Sequence, residues 1–312
     1  MTAPLMLAPM AELSHRALRE LIESYREPGA DSGHCEYFTE MISAGAFVSG
    51  GPFESWYADN GPSPEKLVYQ VTGGDADRIA RAVGMLDKYE CLGFDINMGC
   101  SAPVITRTGA GVRWMEDIEK AAALIRKTRP QSSRRLSVKL RTGPSDDFEY
   151  LVRFCRRLEE EGVDLITLHP RTAREKFRRK ARWSYVSALR KELRIPVAGN
   201  GDINSADEIT RRSLECDAVM IGRLAIRQPW IFHSKRDLKT IDLEETGLRF
   251  LELIRRYQPP EFHISRTRRF FHYFCDNLKW GTHAKNLLNR EEDLAGIEKT
   301  WRRFFAENEN EP

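Results

Sequence analysis

Eight short apolar runs alternate with longer amphipathic stretches before about residue 232, and this alternation limits the available folds more than any single residue does. The runs are LMLAP (5–9), EYFTEMIS (36–43), KLVYQVTG (66–73), GFDINMG (93–99), RLSVKLRTG (135–143), DLITLHP (164–170), IPVAGNGDI (195–203) and AVMIGR (218–223). Most are apolar on both alternations, the pattern of parallel strands covered by helices on their outer side. Helical spacing marks 15–26, 76–89, 117–129, 147–162, 183–193 and 205–215. Asp75 is placed to cap the second of these, Gly162 to end the fourth, and Ser205 with Glu208 forms an S-x-x-E capping box. Eight such units in about 230 residues match a TIM (β/α)8 barrel, for which ~250 residues is typical. An open doubly wound sheet calls for a G-x-G-x-x-G turn after the first strand, and none follows residues 5–9.

Beyond residue 240 the strand pattern stops. LRFLELIRRY (248–257), RTRRFFHYFCDNLKW (266–280) and LAGIEKTWRRFFAEN (294–308) read as amphipathic helices, punctuated by Pro259–Pro260 and Gly281. The expected architecture is α/β: a TIM barrel over 1–240 followed by a small C-terminal α-helical domain over 241–312, the boundary falling within 236–246.

With 41% hydrophobic and 30% charged residues in 312, the chain has the composition of a globular protein. Its net charge of +3 is too small to imply a nucleic-acid partner, so local clusters must carry that argument. Six scattered cysteines, with no CxxC pair, fit a reduced cytoplasmic protein without a metal site. Four of them, Cys91, Cys155, Cys216 and Cys275, are expected to be buried and inert. No signal peptide or membrane span is read, and the expected state is a soluble monomer.

In a TIM barrel the active site lies at the C-terminal strand ends. Those ends carry Pro9–Met10, Glu40, Gln70, Asn97–Cys100, Lys139–Arg141, His169–Arg171, Asn200–Asp202 and Gly222–Arg223. Gly199, Gly201 and Gly222 would let the backbone approach a phosphate, with Arg223 as a charged contact. Lys139 sits in an apolar SVKL run, where a charge is costly unless an anion or polar ligand meets it. Cys100 opens a loop containing Gly109 and Gly111. Its type and place fit a nucleophile, a redox switch, a general acid or a semi-buried loop residue. An ordinary thiol, with a pKa of about 8.5, donates a proton at neutral pH without tuning.

The blocks LAPMAELSHRALR, YFTEMISA, LVYQVTGG, DINMGC, VKLRTG, LHPRT, GNGDI and MIGR, in this order, resemble the tRNA-dihydrouridine synthases. The resemblance covers roughly 1–236, and the helical tail is similar to that family's RNA-binding domain. It implies FMN at the barrel mouth, with Pro9 and Met10 on the isoalloxazine and Gln70, Lys139 and His169 at its polar edge. Asn200, Gly201, Asp202, Gly222 and Arg223 would hold the phosphate end. It further implies that NADPH reduces the flavin, which then delivers hydride to C6 of a uracil while Cys100 protonates C5. Asn97 and Arg171 would orient the extruded base, with Lys139 near it. The chain departs from the family pattern at Ser101, where proline is usual, at Thr106, where asparagine is common, and at Arg179 and Arg182 around Ala181.

Arg171, Arg174, Lys176, Arg178, Arg179, Lys180 and Arg182 form a basic run with Glu175 as its one acid. Beside the site, that run is expected to attract tRNA phosphates, with Thr172 among the contacts. The tail adds basic residues interleaved with aromatics, most of which are expected to be bundle core. Two alternatives stand beside uridine reduction in tRNA: an FMN barrel acting on a small pyrimidine, and a tRNA-binding relative without catalysis.

Overall fold

A computed structural model describes residues 3–26, 35–175, 178–233 and 240–308. Eight parallel strands close into a barrel: β1 (Leu5–Leu7), β2 (Cys35–Phe38), β3 (Leu67–Thr72), β4 (Gly93–Met98), β5 (Arg135–Leu140), β6 (Leu165–Leu168), β7 (Val197–Asn200) and β8 (Ala218–Ile221). Each pairs with the next, and β8 returns to β1 through Leu5↔Val219 and Leu7↔Ile221. The TIM barrel read from the sequence is therefore present. The second apolar run is split, because the chain leaves the ladder after Phe38 and rejoins β3 at Ile42–Ser43. At the break Thr39 accepts from the Gln70 amide through its hydroxyl, and Glu40 turns toward the tail.

Among the described residues, the intervening α-helices of 7 residues or more are α1 (Arg16–Glu23), α2 (Ala76–Leu86), α3 (Ile118–Thr128), α4 (Phe148–Glu160), α5 (Trp183–Glu192) and α6 (Ala206–Arg212). Side chains of Asp75, Asp117, Asp147 and Ser205 accept the N3 amides of α2, α3, α4 and α6, each worth about 1 kcal/mol. In the expected capping box Glu208 instead takes the amide of Asn204, at 2.6 Å. Gly162 follows α4 with a positive φ of 95°, as its place in the sequence predicts.

Beyond residue 240 the described residues form four α-helices, not three: α7 (Leu243–Tyr257), α8 (Pro260–Phe274), α9 (Gly281–Leu288) and α10 (Leu294–Asn308). Pro260 occupies the first turn of α8, where a missing N–H costs nothing, so the second tail helix begins and ends earlier than its apolar pattern suggested. The expected 240–241 boundary lies beside residues 234–239, which fall outside the described residues. Phe250, Phe270, Phe271 and Trp301 form the core of the bundle, while Trp280 is exposed. The tail packs on the barrel near α1, where Arg16 lies over the Tyr257 ring and the Tyr25 and Thr246 hydroxyls are 2.6 Å apart. Among the described residues no helix is long and apolar enough to cross a membrane.

Candidate active site

A cavity of about 640 Å³ opens at the C-terminal strand ends. Pro9, Met10, Asn97, Cys100, Lys139, His169, Arg171, Asn200, Gly201, Asp202, Gly222 and Arg223 all line it, as the strand-end rule predicted. Gln70 does not: it is wholly buried below the cavity. Thr172, Arg174, Arg178 and Arg179 also lie outside the lining. Thr172 is buried and its carbonyl accepts from Arg141 at 3.3 Å, whereas the three arginines are exposed. Arg182 is not free for phosphate, since Glu175 takes two of its nitrogens at 2.7 and 2.9 Å. Lys176 lies outside the described residues.

The tail supplies a wall that the strand-end rule cannot reveal. Arg269, His272 and Tyr273 of α8 line the cavity opposite the barrel loops. Two ion pairs hold α8 there: Arg269 meets Glu12 at 3.0 Å, and buried Arg266 meets Glu40 at 2.9 Å. The second carboxyl oxygen of Glu40 accepts the Glu12 amide at 2.6 Å. Glu40, read as a strand-end site residue, is thus the anchor of the tail. The spacing Arg266-x-x-Arg269-x-x-His272-Tyr273, which sets one helix face, was the available signal.

Of the six cysteines only Cys100 is not buried. Its loop is held closely, because Val112 donates to the Cys100 carbonyl at 3.0 Å. A Cβ on Gly111 would come within 2.3 Å of that carbonyl, so a glycine is required. Gly199 has a different reason from the one its motif suggested: a Cβ there would strike the Trp183 ring at 2.3 Å.

The lining is strongly cationic, with Lys139, Arg141, Arg171, Arg223 and Arg269 against one acid, Asp202, among the described residues. Burial, and then Arg141, lowers the Lys139 ammonium to about 8. That ammonium has no hydrogen-bond or ion-pair partner among the described residues. Burial and four neighbouring cations push His169 down to about 2, so it is neutral. Arg171 can only donate to His169 Nε2, 2.8 Å away, which places the ring proton on Nδ1. Such a cavity is suited to an anionic ligand and has a thiol at its wall.

Over residues 6–311 the chain matches the dihydrouridine synthase family. It is 34% identical over 246 residues to a probable tRNA-dihydrouridine synthase of Aquifex aeolicus (strain VF5), covering 76% of this chain and 74% of that one. A tRNA-dihydrouridine synthase B of Pseudomonas aeruginosa (strain PAO1) is 26% identical over 319 residues, covering 98% and 94% of the two chains. The solved structure of 2-naphthoyl-CoA reductase shares the fold alone, with a TM-score of 0.53 at 11% identity over 73% of this chain and 49% of that one. The chain therefore belongs to the dihydrouridine synthase family.

Proposed function

We propose that the chain reduces uridine in tRNA to 5,6-dihydrouridine, with FMN as cofactor, NADPH as reductant and Cys100 as proton donor. One observation carries this reading: the sole cysteine outside the core lines a cationic cavity at the barrel mouth. The residues present fit FMN. Lys139 brings an unpartnered ammonium to the cavity, and Gly201, Gly222 and Arg223 sit at the strand ends where such barrels hold phosphate. When bound, FMN supplies the two reducing electrons taken from NADPH.

The chain's own residues do the rest. Asn200, Gly201, Asp202, Gly222 and Arg223 hold the phosphate end, Pro9 and Met10 support the ring system, and Lys139 and His169 meet its polar edge. Gln70 would serve there only from beneath, through Asn97, since its side chain lies below the cavity. Asn97 and Arg171 orient a uridine extruded from the RNA, since a stacked base cannot reach a barrel interior. Cys100 gives its proton to C5 of the base as C6 is reduced, and the thiolate then takes a proton from solvent. Lys139 and Arg141 are the cations near enough to stabilise that thiolate.

Exposed Arg174, Arg178, Arg179 and Lys180, with Thr172 below them, form the approach for tRNA phosphates. The division into a catalytic barrel (1–240) and a tRNA-binding helical domain (241–312) follows from this reading, as do a cytoplasmic location and a monomeric, metal-free enzyme. Mass spectrometry of nucleosides tests the whole: purified protein with NADPH should form dihydrouridine in tRNA from a strain lacking the gene. Unchanged uridine at every position would refute the proposal.

A further inference from the structure

A chain of four hydrogen bonds runs from the backbone of Cys100 down into the barrel interior. Asn97 Oδ1 accepts the amides of Cys100 at 2.9 Å and Gly99 at 3.2 Å. A peptide N–H only donates, so the atom facing it must be the amide oxygen, and the Asn97 nitrogen must face Gln70. Asn97 Nδ2 donates to Gln70 Oε1 at 2.9 Å, which turns Gln70 Nε2 toward Asp95 Oδ2 at 2.7 Å. The other oxygen of Asp95 accepts from the Ser137 hydroxyl at 2.7 Å. Each orientation is forced by the one before it.

Strand register assembles the chain, since Gln70 of β3 and Ser137 of β5 both sit opposite Asp95 of β4. Gln70, Asp95 and Ser137 are fully buried, and none lines the cavity. A barrel interior packs well with aliphatic side chains, and a buried carboxyl is costly there. Burial lifts Asp95 to about 6 despite its two hydrogen bonds.

We infer that Asp95 is a positioning residue which, through Gln70 and Asn97, fixes the Gly99–Cys100 backbone and hence the thiol at the cavity wall. The inference rests on Cys100 as proton donor. Misplacing a reacting group by an ångström can cost roughly a hundredfold.

Two variants of the flavin-loaded full chain test it. Asp95→Ala removes the carboxyl that turns Gln70 and so breaks the chain. Its kcat for uridine should fall at least about tenfold, with KM for tRNA and NADPH-driven flavin reduction unchanged. Alkylation of Cys100 by iodoacetamide should quicken about threefold or more as the loop loosens. Asp95→Asn preserves the chain: its oxygen accepts from Gln70, its nitrogen faces Ser137, and that hydroxyl donates to the Phe94 carbonyl, 3.3 Å away. It should keep wild-type kcat and labelling rate. Wild-type labelling and kcat in Asp95→Ala, or equal loss of flavin reduction, would overturn the inference. So would an Asp95→Asn protein that folds but loses uridine reduction selectively. A wild-type enzyme that leaves tRNA uridine unreduced would refute the functional reading instead, and the labelling rates would still decide the positioning.

Discussion

One guanidinium nitrogen of Arg171 lies 2.6 Å from both carboxylate oxygens of Asp202, joining the loop after β6 to the loop after β7 across the cavity wall. Arg171 is buried, so Asp202→Ala leaves a cation without its anion and should cost about 3 kcal/mol at pH 7. Burial works to raise the Asp202 carboxyl, but hydrogen bonds from Arg171 and the Ala181 amide outweigh it and hold the group below its usual range. The stabilisation is therefore complete above the ordinary carboxylate pKa and is lost as pH falls through the lowered value. Urea unfolding of both proteins should show their difference shrinking below pH about 4.

Lys139 links stability to ligand binding with opposite signs. Its folded pKa of about 8 lies below the ordinary 10.5, so the unfolded chain binds more protons between those values. Stability of flavin-free protein should rise with pH across that window, and Lys139→Met should abolish the rise. The same substitution should stabilise flavin-free protein at pH 7 while lowering the bound flavin, read from its visible absorbance per protein.

Cys100→Ala should suppress uridine reduction by about a hundredfold or more. Single-turnover reduction of the flavin by NADPH should proceed at its normal rate. Equal loss of both half-reactions would contradict the proton-donor assignment.

The Glu40–Arg266 pair holds the tail wall in place, with both side chains nearly inaccessible. Arg266→Ala should cost about 3–5 kcal/mol, because it abandons a buried carboxylate. Glu40→Leu combined with Arg266→Met should recover most of that loss, and a double-mutant cycle by denaturant unfolding measures it.

Replacing Arg174, Arg178 and Arg179 together with Gln should raise KM for tRNA and leave kcat unchanged. If each meets one phosphate, the slope of log affinity against log salt should flatten by about 2.7. A fluorescence binding titration across salt concentrations checks this.

The sequence by itself determined the barrel, the end of it at which the cavity opens, and the one cysteine that lines that cavity. Those features depend on local periodicity, on strand ends and on residue type, all of which are one-dimensional. Asp75, Gly162 and Ser205 were legible for the same reason, because a helix cap is settled within about four residues. Tertiary structure decided what lies far apart in the chain. Gln70, expected at a ligand's edge, is bonded to Asn97 and Asp95 below the cavity, because strand register sets it opposite Asp95. Glu40 looked like a site residue and became the anchor for Arg266, 226 positions away. Arg269, His272 and Tyr273 entered the cavity wall only because that anchor docks α8 over the barrel mouth. Such pairings depend on how whole elements pack, and no local pattern encodes them.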